Sequence, residues 1–292
     1  MAAKNRTRPA PKAPLARKGI ATTTRSVVVL KLGGELLEQP ADVKRIARGI
    51  RRLAARASVT VVHGGGKEID AALALAGIPK RQVDGLRVTD APTLAAVVAV
   101  LAGSINTRLV AAIREAGGAP VGPTGADAGV AVVKRAGPIV STAGESVDLG
   151  LVGTPAAGGD PALLIDLMRK GYVPVVACVG ATKKGQLLNV NADTLASHLA
   201  ARLEARRLVI AGATAGVLDA DGRTIARLTS RDAARLVKAG TANKGMVAKL
   251  QACRDALKLG VGDVLVANGR RVEFDTLADS KVMQPGCTQV VR

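Results

Sequence analysis

Aromatic side chains are almost missing from this chain: it has no Trp, and Tyr172 and Phe274 are its only aromatic rings in 292 residues. Base stacking, the usual grip of single-strand nucleic-acid binders, is therefore hardly available. The core has to be built from Val, Leu, Ile and Ala. Cysteine is scarce as well. Cys178, Cys253 and Cys287 are odd in number, far apart and without metal-ligand spacing, which points away from a disulfide framework or a metal site and towards reduced, buried thiols. No apolar run reaches the roughly 20 residues that cross a bilayer, and the N-terminus lacks the charged-then-apolar layout of a secretory signal. The expectation is a cytoplasmic, soluble protein with no membrane partner.

Acids are also in deficit. Lys and Arg number 42 against 23 Asp and Glu, a formal charge of +19, and strongly basic chains attract phosphates. Location decides what this means. Residues 1–25 hold Lys4, Arg6, Arg8, Lys12, Arg17, Lys18 and Arg25 and no acid, among Pro, Ala and Thr. That composition reads as a disordered tail, with nonspecific nucleic-acid contacts at most. The remaining charge is spread along faces such as Lys44, Arg45, Arg48, Arg51, Arg52 and Arg56. Such a run reads as a solvated helix face before a binding patch, although an anionic substrate or an acidic protein partner would profit from the same field.

Strand-like and helix-like segments alternate. "SVVVLKL" is apolar enough for a buried parallel strand and is followed by "ADVKRIARGIRRLAARA" with helical spacing; "SVTVVHGGG" then precedes the helical "KEIDAALALAG". Further on come a helix-like stretch from Ala91 to Gly118, the strand "YVPVVACVG", the helix "ADTLASHLAARL", the strand "RLVIAGA" and a closing strand "DVLVA". This alternation predicts an α/β fold, a mostly parallel sheet sandwiched between helices. The Gly-rich middle, from about Ala136 to Asp160, reads as a β-hairpin or loop excursion.

Ligands of open α/β sheets sit beyond the carboxyl ends of strands, where loops feed helix N-termini. Gly33 and Gly34, and Gly64, Gly65 and Gly66, lie at such places. Each cluster reads either as a tight turn needing positive φ or as backbone N–H groups brought close to an anion. "HGGGKE" lacks the Ser or Thr and the first glycine of a P-loop, and "KLGGEL" is no dinucleotide fingerprint. Lys31, ending an apolar strand, would lose its proton if buried without a partner. A phosphate is a fitting one.

In order and spacing, "VVVLKLGG", "VVHGGG", "GLRVTD", "LAGSINTRLV", "GYVPVVACVG", "GQLLNVNADTLASHLAARL" and "KGMVAKLQAC" resemble the amino acid kinase family, and within it the acetylglutamate branch. The resemblance runs from Val27 to the C-terminus. It implies the fold of that family in two lobes, 26–180 for the acid substrate and dimerisation and 181–292 for the nucleotide, behind the basic tail 1–25. The implied reaction moves the γ-phosphoryl group of Mg-ATP onto the side-chain carboxylate of N-acetylglutamate, with Mg2+ held by the nucleotide and not by a dedicated protein site. A carboxylate of pKa about 4 is ionised at neutral pH, so no general base is needed. The task is positioning and charge neutralisation.

Residue by residue, the resemblance makes Lys31 and Lys249 the cations on the transferring phosphoryl group and Asp193 the carboxylate that organises them. Asp193 also reads as the N-cap of the helix it begins. Arg87 would pair with the substrate's α-carboxylate, Gly65 and Gly66 would offer amides to the reacting carboxylate, and Asn189, with Asn191 beside it, would bind the amino-acid part. Gly33, Gly34, Gly212, Ala213, Thr214, Gly216, Leu218, Asn243, Lys244, Gly245 and Met246 fall on the nucleotide side. His63 reads as a packed or loop-orienting histidine and His198 as a structural one. Three departures cluster: Ala213 stands where relatives carry an aspartate, Lys244 where they carry glycine or aspartate, and "GPTGADAG" departs from the family's form. Two other readings therefore stay open, a kinase for a related acid such as carrier-bound aminoadipate or glutamate, and a catalytically weak nucleotide-binding paralogue.

Overall fold

The computed structural model of the protein describes residues 25–238, 244–279 and 284–292; the expected basic tail lies outside them, apart from Arg25. Two strand–helix units come first, β1 (Val27–Leu32), α1 (Pro40–Ala54), β2 (Ser58–His63) and α2 (Gly66–Leu75). A short hairpin of β3 (Gln82–Val83) and β4 (Leu86–Arg87) leads to α3 (Ala91–Val98), which continues through a π-helical stretch (Ala99–Ile105) into α4 (Asn106–Glu115). Then come β5 (Pro120–Val121), β6 (Val133–Arg135), the hairpin of β7 (Ile139–Val140) and β8 (Ser146–Val147), and β9 (Val152–Pro155). They are followed by α5 (Ala162–Arg169), β10 (Val173–Ala177), β11 (Val179–Ala181), β12 (Leu187–Val190) and α6 (Ala192–Arg202). The last part holds β13 (Arg207–Gly212), β14 (Arg227–Thr229), α7 (Ser230–Lys238), α8 (Lys244–Lys258), β15 (Asp263–Asn268) and β16 (Cys287–Val291).

The main sheet has eight strands in the order β14-β16-β15-β13-β1-β2-β10-β5. Pairing is parallel from β15 across to β5; β16 is antiparallel to β15, and β14 runs parallel to β16. Strand β1 sits at the centre, which is why its sequence is an unbroken apolar run: both faces are covered by helices and every residue from Val28 to Leu32 is buried. The junction of β1 with β13 joins strands from the first part of the chain to strands from the second. A smaller sheet, β11-β12-β9-β6, is formed by the Gly-rich excursion folding back on the strand that leaves β10.

Two expectations need correction. "DVLVA" does not close the sheet, because β16 adds beyond it; "CTQVV" is short and half polar, and its strand character comes from pairing with β15 and β14. Secondly, the helix Ala91–Glu115 is, by length and composition, long and apolar enough to cross a bilayer. A count of consecutive apolar residues misses it because Thr93, Ser104, Asn106 and Arg108 interrupt the run. Here it is a core helix: Val97, Leu101, Ile105, Leu109 and Ile113 are buried, with α4 packed on α1 and β10. The three cysteines are free and buried, as expected.

The basic face of α1 is partly occupied by ordinary partners. Lys44 meets Glu115 at 3.3 Å, Arg52 meets Glu273 at 3.6 Å, and Arg45 donates to the Gly269 carbonyl at 2.6 Å. The opposite face buries Val43, Ile46, Ile50 and Leu53. Gly49 lies there too: a Cβ at this position would stand 2.8 Å from the ring of Phe274, so the missing side chain lets the C-terminal segment close onto α1.

The bottom of β13 and β15 is held by a buried ion pair. Arg207, 1% exposed, forms a two-pronged contact with Asp263 at 2.8 and 2.6 Å, and Gln289 donates to the same carboxylate at 2.6 Å. Asp263→Ala leaves that guanidinium uncompensated and is expected to cost about 3–5 kcal/mol of unfolding free energy. A urea titration checks this; a loss under about 1 kcal/mol would mean the pair is not structural.

Candidate active site

Because β1 and β2 are neighbours running the same way, their C-terminal loops leave the sheet side by side. Gly33–Gly34 and Gly64–Gly66 consequently touch: a Cβ on Gly34 would come within 2.7 Å of the Gly65 Cα, and one on Gly65 within 2.1 Å of Ile105 Cδ1. None of these five glycines has positive φ. The tight-turn reading is thus overturned, and Gly34 and Gly65 are glycine because there is no room for a side chain. At Gly66 a Cβ would meet nothing within 4 Å, so its surroundings are open.

Lys31 is the penultimate residue of β1 and is 7% exposed. Its ammonium lies 2.8 Å from Asp193 Oδ1. Burial works to lower the lysine pKa, but the charge and hydrogen bond of Asp193, with Glu35 adding to them, outweigh it and hold the pKa above the ordinary value. Lys31 is therefore a cation at neutral pH. Cys178, next to it, is pushed up to about 12 by burial despite the nearby lysine, so it stays a neutral thiol.

Asp193 reaches Lys31 because α6 packs across β1 with its N-terminus at the carboxyl end of the sheet. It does not cap the helix. Asn191 is the cap, its side-chain oxygen accepting from the Asp193 and Thr194 amides at 2.9 and 3.1 Å. The expected double role is corrected: Asn191, two residues earlier, caps, which leaves the Asp193 carboxylate for the lysine. Lys249 approaches from α8, its Cε 3.6 Å from where a Gly212 Cβ would stand. The two helices are tied by Ser197, whose hydroxyl lies 2.9 Å from the Asp193 carbonyl and 3.0 Å from that of Ala252.

Beyond β13, Gly212 and Ala213 lead into an exposed loop through Thr214. Gly216 has φ +49 and closes against Thr288, and Leu218 is 46% exposed. Asn268 Nδ2 donates to the Ala213 carbonyl at 3.0 Å. At the start of α8, Gly245 is exposed and Met246 is buried in the core. Asn243 lies outside the described residues, as does the side chain of Lys244. Sequence reasoning missed Glu35, whose Oε1 accepts from the Ala213 amide at 3.1 Å and whose carboxylate fills the space above Gly33 and Gly212. Its position directly after Gly34 was the available signal.

On the other flank, Arg87 on β4 is 8% exposed and gives one nitrogen to Asp70 Oδ1 at 2.5 Å and to the Gly66 carbonyl at 3.2 Å. Its Nη1 is buried without a hydrogen-bond partner. Partial burial pushes the Asp70 carboxyl up, but hydrogen bonds from Lys80 and Arg87 prevail and leave its pKa below the usual value. Asp70 went unnoticed because only the tertiary fold brings α2 to β4. Asn189 donates to Thr89 Oγ1 at 3.2 Å. His63 is fully buried and contacts Asn106 and the Gly64 carbonyl; burial also lowers the pKa of His198 on α6. A cavity of about 540 Å3 lined by Asn191, Thr194, His198, Ala248 and Gln251 adjoins this site.

Two lysines, a carboxylate holding one of them, and backbone amides at the strand ends are groups that can stabilise an oxyanion. Beside them an arginine keeps a free donor. Neither histidine is placed as a base, so the arrangement suits a nucleophile that arrives ionised.

Comparison with known proteins agrees. The family model of the amino acid kinase family matches residues 26–268. The acetylglutamate kinase of Bradyrhizobium diazoefficiens is 39% identical over 248 residues, 83% of this chain and 84% of that protein. That of Zymomonas mobilis is 40% identical over 249 residues, covering 84% and 82%. Among solved structures, the N-acetylglutamate synthase of Neisseria gonorrhoeae complexed with coenzyme A and N-acetyl-glutamate superposes with a TM-score of 0.76 at 23% identity over 91% of this chain. The chain spans 59% of that synthase. Carbamate kinase from Giardia lamblia bound to AMP-PNP gives a TM-score of 0.64 at 16% identity, covering 92% of this chain and 99% of that one. With a mostly parallel sheet, paired glycine turns and a lysine at the end of its first strand, the chain belongs to the amino acid kinase family.

Proposed function

We propose that the protein phosphorylates the side-chain carboxylate of N-acetyl-L-glutamate with Mg-ATP, giving N-acetylglutamyl 5-phosphate and ADP. The observation that carries this reading is the buried Lys31–Asp193 pair beside two glycine turns that touch. Relatives named acetylglutamate kinase at 39% and 40% identity support the choice of acid. The acid's carboxylate oxygen bonds to the γ-phosphorus while the bond to the β-phosphate oxygen breaks, and no proton has to move. Lys31 and Lys249 neutralise the phosphoryl oxygens, and the Gly33–Gly34 and Gly65–Gly66 amides hold phosphoryl and carboxylate next to each other. Arg87, steadied by Asp70, offers its free Nη1 to the α-carboxylate, and Asn189 with Asn191 lines the amino-acid part.

Among the described residues no group of three or more His, Cys, Asp or Glu is placed to hold a metal. In this reading Mg2+ comes with the nucleotide phosphates and adds positive charge to the same oxygens. The segment 26–180 serves the acid and a homodimer contact, 181–292 serves the nucleotide, and the enzyme works in the cytoplasm. The nucleotide loop 212–214 receives its carboxylate contact from Glu35, since Ala213 has none to give.

The test is to trap acyl phosphate with hydroxylamine while offering Mg-ATP with N-acetylglutamate, N-acetylaspartate, glutamate or aspartate. Hydroxamate is expected from N-acetylglutamate; none at millimolar substrate sinks the proposal. Lys31→Ala and Lys249→Ala are each expected to lower kcat by about 100-fold or more with smaller changes in KM; near-normal kcat in either removes that lysine from the chemistry. Arg87→Lys, which replaces a fork by a point charge, should raise the KM for the acid about tenfold and leave that for ATP unchanged. Glu35→Gln should lower the KM for ATP about two- to fivefold, the scale of one partly exposed charge. A higher KM would instead assign Glu35 to holding the nucleotide.

A further inference from the structure

Two buried polar side chains take no part in the mechanism above. His63 ends β2 with no exposed surface, and Asn106, 2% exposed, opens α4. Asn106 Nδ2 lies 2.7 Å from the Val175 carbonyl oxygen and 3.1 Å from His63 Nε2. A carbonyl can only accept, so the amide atom facing Val175 is the NH2 group. Its second hydrogen points to Nε2, which must then carry a lone pair. The neutral ring therefore bears its proton on Nδ1, and Nδ1 faces the Gly64 carbonyl oxygen at 3.3 Å. Geometry alone thus determines the tautomer.

The consequence reaches the glycine turn. In a trans peptide the C=O and the following N–H point in opposite directions, and the described chain has no cis bond. Drawing the Gly64 oxygen to the buried imidazole aims the Gly65 N–H the other way. We propose that Asn106 is a positioning residue of the acid-substrate site: it holds His63 as the Nδ1–H tautomer, which pins the Gly64–Gly65 peptide with its N–H towards the reacting carboxylate. This rests on the assignment of Gly65 to that carboxylate.

Two further features fit this role. A Cβ on Gly122 would stand 2.0 Å from Asn106 Oδ1, so the glycine that opens "GPTGADAG" is what lets the amide sit there. Burial holds the His63 pKa down to about 4 against the pull of the Gly64 carbonyl, with Arg108 also lowering it, and the ring is neutral at working pH.

The chain has only two histidines, so protein labelled with 15N-histidine gives a spectrum of two imidazoles, assigned with His198→Gln. Long-range 1H–15N correlations are expected to show His63 with a protonated Nδ1 and a bare Nε2. Asn106→Asp, which cannot donate, should move the proton to Nε2 and raise the KM for the acid about tenfold or more while the KM for ATP stays the same. His63→Asn, whose amide can still donate to Gly64, should keep the acid KM near normal, and His63→Leu should not. A protonated Nε2 in the unaltered protein, or an Asn106→Asp variant with unchanged tautomer and acid KM, overturns the proposal. If the variants do not fold, the spectrum of the unaltered protein decides. The spectrum needs no substrate, so an enzyme inactive on every acid but carrying the Nδ1–H tautomer would count against the proposed reaction alone.

Discussion

A lysine can stay charged inside a protein only if something inside answers its charge. Lys31 stands near the end of the central strand of an eight-stranded sheet, and the answer is Asp193 at 2.8 Å. Much of the architecture around it follows from that contact. Helix α6 must cross β1 with its first turn at the carboxyl edge, and another residue must cap the helix so that Asp193 remains free. Asn191 does so. Ser197 then ties this helix to α8, the helix that carries Lys249. The result is a cation held at full charge beside two glycine turns, which is what the proposed phosphoryl transfer requires.

The turns matter through what they lack. Parallel neighbours β1 and β2 deliver two loops to one place; they can touch because Gly34 has no side chain, and Gly65 lets its own loop lie against Ile105. Two groups meant to react must come within about 3–3.5 Å, and backbone atoms packed this closely can hold them so. The loop after β13 is assembled differently from the pattern its sequence resembles. Ala213 brings no carboxylate, and Glu35, from the loop after β1, reaches across to the Ala213 amide instead.

Much of the candidate site is legible in the sequence. Lys31 was visible as the one charge in an apolar strand, and Arg87, Asn189, Asp193 and Lys249 as motif positions whose residue types suit anions. Local signals misled in three places. Asp193 looked like a cap because it stands near the start of a helix, yet capping is decided by which residue leaves helical geometry, and that is Asn191. Strand β16 escaped notice because its half-polar pattern gains strand character only from its neighbours. The stretch from Ala91 reads as helical, but a search for unbroken apolar runs passes over its length and apolar character because polar residues interrupt it, and three-dimensional packing makes it a core element.

By itself, the amino-acid sequence determined the alternation of strands and helices, the burial of β1 and the location of the glycine turns, because hydrophobic periodicity and missing side chains are local properties. The tertiary structure decided which charges meet. Lys31 with Asp193, Arg87 with Asp70, Glu35 with Ala213 and Asn106 with His63 are contacts between residues 17 to 178 positions apart, or 162 for the lysine pair. No local pattern encodes such partnerships, since they depend on strand order and on which face of the sheet each helix covers. The lysine was written in the chain; the state of its proton was set by the fold.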